Sequence, residues 1–170
     1  MKRNRRSRPI LWLCTLLLGA IACGGGGGGG GESFIVSGLW GVAATSTPGT
    51  PSPSDDSPAG VVCNAAAAGA GPLPGAQINV AQQDGTLTAT GGGLEYTGSV
   101  NDANQSFTLN STTPICQQQG ACVVCGVASL DFLDAAGNTA NVNVAFGFNG
   151  NAACPFQCTV TFTEVPATRS

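Results

Sequence analysis

From Phe34 onward the chain alternates apolar and polar residues with a period of two, and this alternation constrains the fold more than any other feature. Phe34, Val36, Gly38, Trp40 and Val42 share one face of the first segment. Ile78 and Val80 alternate with Gln77, Asn79 and Ala81, and Leu87 and Ala89 with Thr86, Thr88 and Thr90. Leu94, Tyr96 and Val100 alternate with Glu95, Thr97 and Ser99, and Phe107 and Leu109 oppose Thr108 and Asn110. Further on, Ala128, Leu130 and Phe132 oppose Ser129 and Asp131, and Val142, Val144, Phe146 and Phe148 oppose Asn141, Asn143 and Gly147. Cys158, Val160 and Phe162 oppose Thr159, Thr161 and Thr163. Successive side chains of a strand point to opposite faces, so each segment reads as an antiparallel strand buried on one side.

Turn residues fall between these segments: Gln83-Asp84-Gly85, Gly91-Gly92-Gly93, Asn101-Asp102-Ala103-Asn104, Ala135-Ala136-Gly137-Asn138 and Asn149-Gly150. The pattern predicts an all-β domain, an antiparallel meander that closes as an up-and-down β-barrel of about eight strands. Closure removes unpaired edges. Hairpin spacing leaves strand order open, so a β-sandwich is the alternative. In a closed meander the first strand, residues 34–42, should pair with the last, residues 156–164. Two stretches interrupt the alternation. Residues 45–58 are rich in Pro, Ser and Thr, and residues 65–75 in Ala, Gly and Pro. Both read as long loops around a short strand at Gly60–Asn64.

The ends of the chain differ sharply from this middle. Lys2, Arg3, Arg5, Arg6 and Arg8 precede an apolar run over residues 10–22. A basic segment before a short apolar run is a signal peptide, and the run is shorter than the roughly 20 apolar residues of a spanning helix. Cys23 follows, then Gly24 to Gly31 without interruption. A glycine run has no side chains to pack and maximal backbone freedom, and as a coil it spans roughly 15 Å. The expected organisation is a signal peptide at 1–22, Cys23 with a glycine tether at 23–31, and one β domain over 32–170.

Leu18-Gly19-Ala20-Ile21-Ala22-Cys23 resembles the lipobox of bacterial lipoproteins. The resemblance implies cleavage before Cys23, a lipid on its sulfur, an acylated new N-terminus and attachment to the membrane. Gly24 after the cysteine, rather than Asp, fits outer-membrane sorting in that family. The expected location is therefore the cell envelope, on its periplasmic or surface face. Ala20 stands where the family usually has Leu, and Ala20-x-Ala22 also suits ordinary leader cleavage, which would leave Cys23 unmodified.

Beyond Cys23 there are six cysteines: Cys63, Cys116, Cys122, Cys125, Cys154 and Cys158. An even count in an exported chain predicts three disulfides. Cys122-x-x-Cys125 and Cys154-x-x-x-Cys158 also have spacings that suit zinc, but export favours oxidation, so no metal site is expected.

All nine acidic residues lie after the leader, and Arg169 is the one basic residue there, for a net charge of about −8. Nucleic-acid binding, which needs cations to displace counterions, is not expected. The chain has no histidine, which removes Ser-His-Asp triads, Cys-His pairs and His-ligated zinc. Asp131, Asp134 and Asn138 flank one turn without calcium-loop spacing. Glu95 with Asp131 is the one carboxylate pair left open for a hydrolase. No residue is assigned a catalytic role, and no cofactor is expected.

Ser37-Gly38-Leu39-Trp40-Gly41 lies on the first expected strand, and Gly38-x-Trp40 resembles the G-x-W signature of lipocalins and their barrel relatives, the avidins. There the Trp closes one barrel end and a basic residue near the C-terminus stacks on it. Arg169 is the candidate for that role here. The resemblance implies a barrel with room for a small apolar ligand, with Trp40 and Tyr96 among the candidate ligand or barrel-closing residues. The function expected from the whole chain is a non-enzymatic, membrane-anchored lipoprotein that binds a small apolar ligand or an envelope protein. The alternative is a structural, surface-displayed domain without a ligand.

Overall fold

A computed structural model describes residues 34–54, 57–135 and 137–170. The expected signal peptide at 1–22 and the expected lipid-bearing Cys23 with its glycine run at 23–31 lie outside the described residues. In chain order the elements are β1 (Gly38–Val42), β2 (Thr50–Ser52), α1 (Pro58–Ala70), β3 (Ala76–Gln83), β4 (Thr86–Gly91), β5 (Leu94–Asn101), β6 (Ser106–Ser111), β7 (Ile115–Gln119), β8 (Cys122–Leu133), β9 (Thr139–Gly150) and β10 (Gln157–Arg169).

Eight of the strands close an antiparallel barrel in the order β1-β3-β4-β5-β6-β8-β9-β10, with β10 returning to β1. The remaining two are additions: β2 pairs with β10, and β7 pairs with β8. The inward face is apolar, as the alternation requires. Ile78 and Val80, Leu87 and Ala89, Phe107 and Leu109, Leu130 and Phe132, and Val142 and Val144 are all buried. Burying side chains of this size contributes about 1.5–3 kcal/mol each. Apart from the indole N–H of Trp40 and the hydroxyl of Tyr96, no buried residue among those described carries a polar or charged side-chain group. The hairpins turn where Gly, Asp and Asn permit it. Asp84 and Gly85, and Gly92 and Gly93, have φ between 50° and 79°, the left-handed region that short hairpins need.

Two expectations are corrected. The first concerns closure, which occurs further along β10 than the alternation indicated. Trp40, Gly41 and Val42 pair with Arg169, Thr168 and Ala167, not with residues 156–164. Between Phe162 and Val165 the β9–β10 register shifts at a bulge, and Glu164 there has φ 55°. A bulge inserts an extra residue and resets which side chains face inward. Val165 and Ala167 therefore return to the core, and the strand continues past the point where strict alternation ends.

The second correction concerns residues 58–70, which form a helix rather than a strand and a loop. The Ser57 Oγ accepts a hydrogen bond from the Gly60 N–H at 3.1 Å, Pro58 occupies the first turn, and Gly71 ends the helix at φ 63°. These are ordinary start and stop residues. The helix buries small residues, Gly60, Cys63 and Ala67, while Val61 and Val62 are exposed. Its inner face is thus spaced as a helix but carries no bulky apolar side chain, which hides it from a reading of hydrophobic periodicity. The 45–58 stretch likewise holds β2, which extends the sheet beyond β10.

Candidate functional site

The barrel has two unlike ends. One is packed solid. Trp40 is fully buried there, its ring 5.5 Å from that of Phe107 and 5.3 Å from that of Phe132, and the two phenylalanines stack at 4.1 Å. The indole Nε1–H donates to the Val36 carbonyl at 2.8 Å, so the polar atom carried into the core is satisfied.

Arg169 closes this end from outside. Its guanidinium lies 5.5 Å from the centre of the Trp40 ring. It donates to the carbonyls of Ile35 and Gly137, each at 2.7 Å, and to Oδ1 of Asn138. One side chain therefore ties the chain before β1, the β8–β9 turn and the end of β10. Gly38 explains the other half of the motif. Its φ is 140°, and a Cβ there would sit 3.1 Å from Cγ and Cδ of Arg169. Glycine leaves the arginine stem room to reach the tryptophan. Gly38, Trp40 and Arg169 thus meet at one corner of the barrel.

The other half of the barrel is hollow. A cavity of about 340 Å3 is lined by Val42, Ile78, Leu94, Tyr96, Leu130, Phe146, Phe162 and neighbouring apolar residues of the barrel strands. Pro72, Leu73 and Pro74, which link α1 to β3, form part of its wall. A second hollow of about 280 Å3 shares Leu94, Ala128, Phe146 and Phe148 with the first and reaches Ile115 and Gln117 of β7. Trp40 does not line either hollow. It is the stopper at the packed end.

The neighbouring segment is held over this half by several contacts. Cys63 of α1 is bonded to Cys158 of β10 across 95 residues of sequence. Thr45 N–H donates to the Leu73 carbonyl at 3.0 Å. Pro48 bridges to Pro72. Gly49 lies against Val160 and Phe162 so closely that a Cβ would overlap both. Residues 43–54 and 57–75 thus pack as a lid against β10, with Pro72, Leu73 and Pro74 reaching the cavity wall. Periodicity did not reveal this lid. The pairs Ser57-Pro58 and Gly71-Pro72 were the sequence signals for it.

Tyr96 is the single tyrosine of the chain and carries the one polar side chain in the 340 Å3 cavity. Its residue is 6% exposed, its hydroxyl has no hydrogen-bond partner among the described residues, and burial raises its pKa above the usual 10.0.

No family model, curated protein or solved structure matches the chain. The closed eight-stranded antiparallel barrel is by itself consistent with a lipocalin-like barrel.

The six cysteines form three disulfides: Cys63–Cys158, Cys116–Cys125 and Cys122–Cys154. Neither close pair bonds internally. Cys122 and Cys125 both lie on β8, and residues three apart on a strand point to opposite faces, so they cannot converge on one ion. The last two bridges clamp β7 and the β9–β10 connection to β8 near the second hollow. The carboxylate pair left open by the sequence is also separated. Asp131 accepts from the Thr108 hydroxyl at 2.9 Å, and the register sets it level with Ser99 on β5. Glu95 lies four residues back along that strand, about 13 Å away at strand rise. That exceeds the separations of glycosidase carboxylates.

Proposed function

We propose that this protein is an extracytoplasmic lipoprotein, held to the membrane through a lipid on Cys23, whose barrel domain binds a small apolar molecule without transforming it. The observation that carries the binding role is the apolar cavity of about 340 Å3 inside a barrel stopped at one end by Trp40. Binding sites are concave, mostly apolar and furnished with few polar groups, and this cavity has that composition. A domain with a structural task alone has no need of an unfilled half, because voids in a core cost stability. The anchoring role is supported by Cys23 between an apolar leader and a glycine tether, and three disulfides suit an oxidising, extracytoplasmic compartment.

The binding reading is tested by titrating the full chain with aminoanthracene, whose fluorescence rises in apolar surroundings. Saturable binding is expected in the parent protein, and its loss in Ala128→Phe, which places a ring in the space beside Leu130 and Phe146. A parent chain that takes up no apolar probe would be a displayed structural domain instead. The anchor is tested separately. Cys23→Ser should move the protein from the membrane to the soluble fraction, whereas an intact mass with an unmodified Cys23 would overturn that half of the proposal.

A further inference from the structure

Resting on the ligand-binding reading, we infer that the ligand is uncharged and bears one hydrogen-bond acceptor, which the Tyr96 hydroxyl engages. The class is a small neutral carbonyl compound, ester or ether with an apolar body.

Three observations support this. First, the wall around Tyr96 is otherwise apolar: Val42, Ile78, Leu94, Leu130 and Phe146 surround it. A ligand must therefore be apolar nearly everywhere it touches the protein. Second, no charged side chain lines the cavity. The sole cation of the domain, Arg169, is committed at the opposite end to Trp40, Ile35, Gly137 and Asn138. An anionic ligand such as a fatty acid would bury its carboxylate without a partner, and an ammonium ligand would meet no carboxylate. Either costs far more than an apolar wall returns. Third, the Tyr96 hydroxyl has no partner among the described residues, although its residue is 6% exposed. A phenol donates and accepts, and burial strengthens its hold on the proton. It therefore stays neutral and presents a donor to whatever enters. Sites built to hydrogen-bond one ligand group discriminate sharply against analogues that lack it. Size adds a limit. At interior packing density a 340 Å3 cavity takes a molecule of about 10–15 non-hydrogen atoms.

The test uses three probes of equal length on the full chain: decanone, decanoate and chlorodecane. Because Tyr96 is the only tyrosine, protein labelled with carbon-enriched tyrosine gives one phenolic carbon resonance. That resonance should shift with decanone in proportion to occupancy. Decanone should bind tightest, with decanoate at least tenfold weaker. Tyr96→Phe should weaken decanone by about 5–10-fold and leave chlorodecane unchanged, which separates a lost hydrogen bond from a damaged barrel. Decanoate binding as tightly as decanone overturns the inference. So does decanone binding with no shift of the tyrosine resonance and no loss in Tyr96→Phe, and in both cases the ligand-binding reading stands. Failure of all three probes and of aminoanthracene overturns the binding reading itself.

Discussion

Trp40 stops one end of the barrel because its ring fills the space between Phe107 and Phe132 while its one polar atom is satisfied within its own segment by Val36. Removing the ring leaves a large hole among side chains that are themselves fully packed. Trp40→Ala should lower unfolding stability by about 3–5 kcal/mol, measured by denaturant titration. Gly38 supports the same corner through backbone geometry, and its effect is distinguishable. Gly38→Ala forces a Cβ against the Arg169 stem at a φ of 140°, a conformation that costs a side-chain-bearing residue about 1–3 kcal/mol. Its partner Arg169→Ala should then lose much of its own effect in the Gly38→Ala background, because the two changes disturb one contact. Tyr96 adds a pH dependence. Its native pKa lies above the usual 10.0 through burial, so the neutral phenol is favoured in the folded state. The stability this reflects is fully present below pH 10 and is lost as pH rises through the raised native value. Tyrosinate absorbance of this lone tyrosine should therefore appear at higher pH in the folded protein than in denaturant. A titration curve identical in both states would remove the burial argument.

At the scale of elements, the lid is a fold within the fold. α1 and β2 reach the barrel mainly through β10, and the Cys63–Cys158 bridge is the covalent part of that attachment. The loop it closes spans 95 residues, and chain-entropy arguments assign a bridge of that length about 4–5 kcal/mol. Cys63→Ser with Cys158→Ser should lower stability by about that amount. It should also speed amide exchange in residues 43–52 and 58–75 more than in β3 to β6, where the ladder is independent of the bridge. Uniform loss of protection across the barrel would mean that the lid and the barrel unfold as one unit. The helix shows why residue type outweighs pattern here. Gly60, Cys63 and Ala67 are the residues α1 buries, with Cys63 bonded to β10, and Val61 and Val62 are left outside.

At the scale of the molecule, charge and fold are decoupled. Nine acidic residues accompany one arginine over residues 32–170, and that arginine is engaged by carbonyls, an amide and a ring rather than by a carboxylate. Stability must come from the apolar interior, the strand ladders and three bridges, while like charges on the outside repel one another. Added sodium chloride should therefore raise the unfolding midpoint modestly, by up to about 1 kcal/mol, as screening shortens the reach of that repulsion. A fall in stability with salt would point to favourable ion pairs instead.

What the sequence determined by itself is the part governed by local rules. A period of two places Phe107, Leu130 and Val144 inside and their neighbours outside, and Asp84-Gly85 or Gly92-Gly93 can turn a hairpin wherever they stand, so the antiparallel barrel was legible. The even cysteine count implied three bridges. Tertiary structure alone decided which cysteines pair, because Cys63 and Cys158 become neighbours only once β10 has crossed the barrel and the helix has folded back on it. It also decided the closing register, since a bulge at Glu164 shifts inward facing by one residue without leaving a mark in composition. The cavity follows the same logic. The sequence contains Tyr96 and the phenylalanines of both halves, but whether inward side chains meet, as Trp40 and Phe132 do, or border an open space, as Tyr96 and Phe162 do, depends on the barrel's width and on Leu73 being brought over it. Those are distances between segments remote in the chain, and no local pattern encodes them.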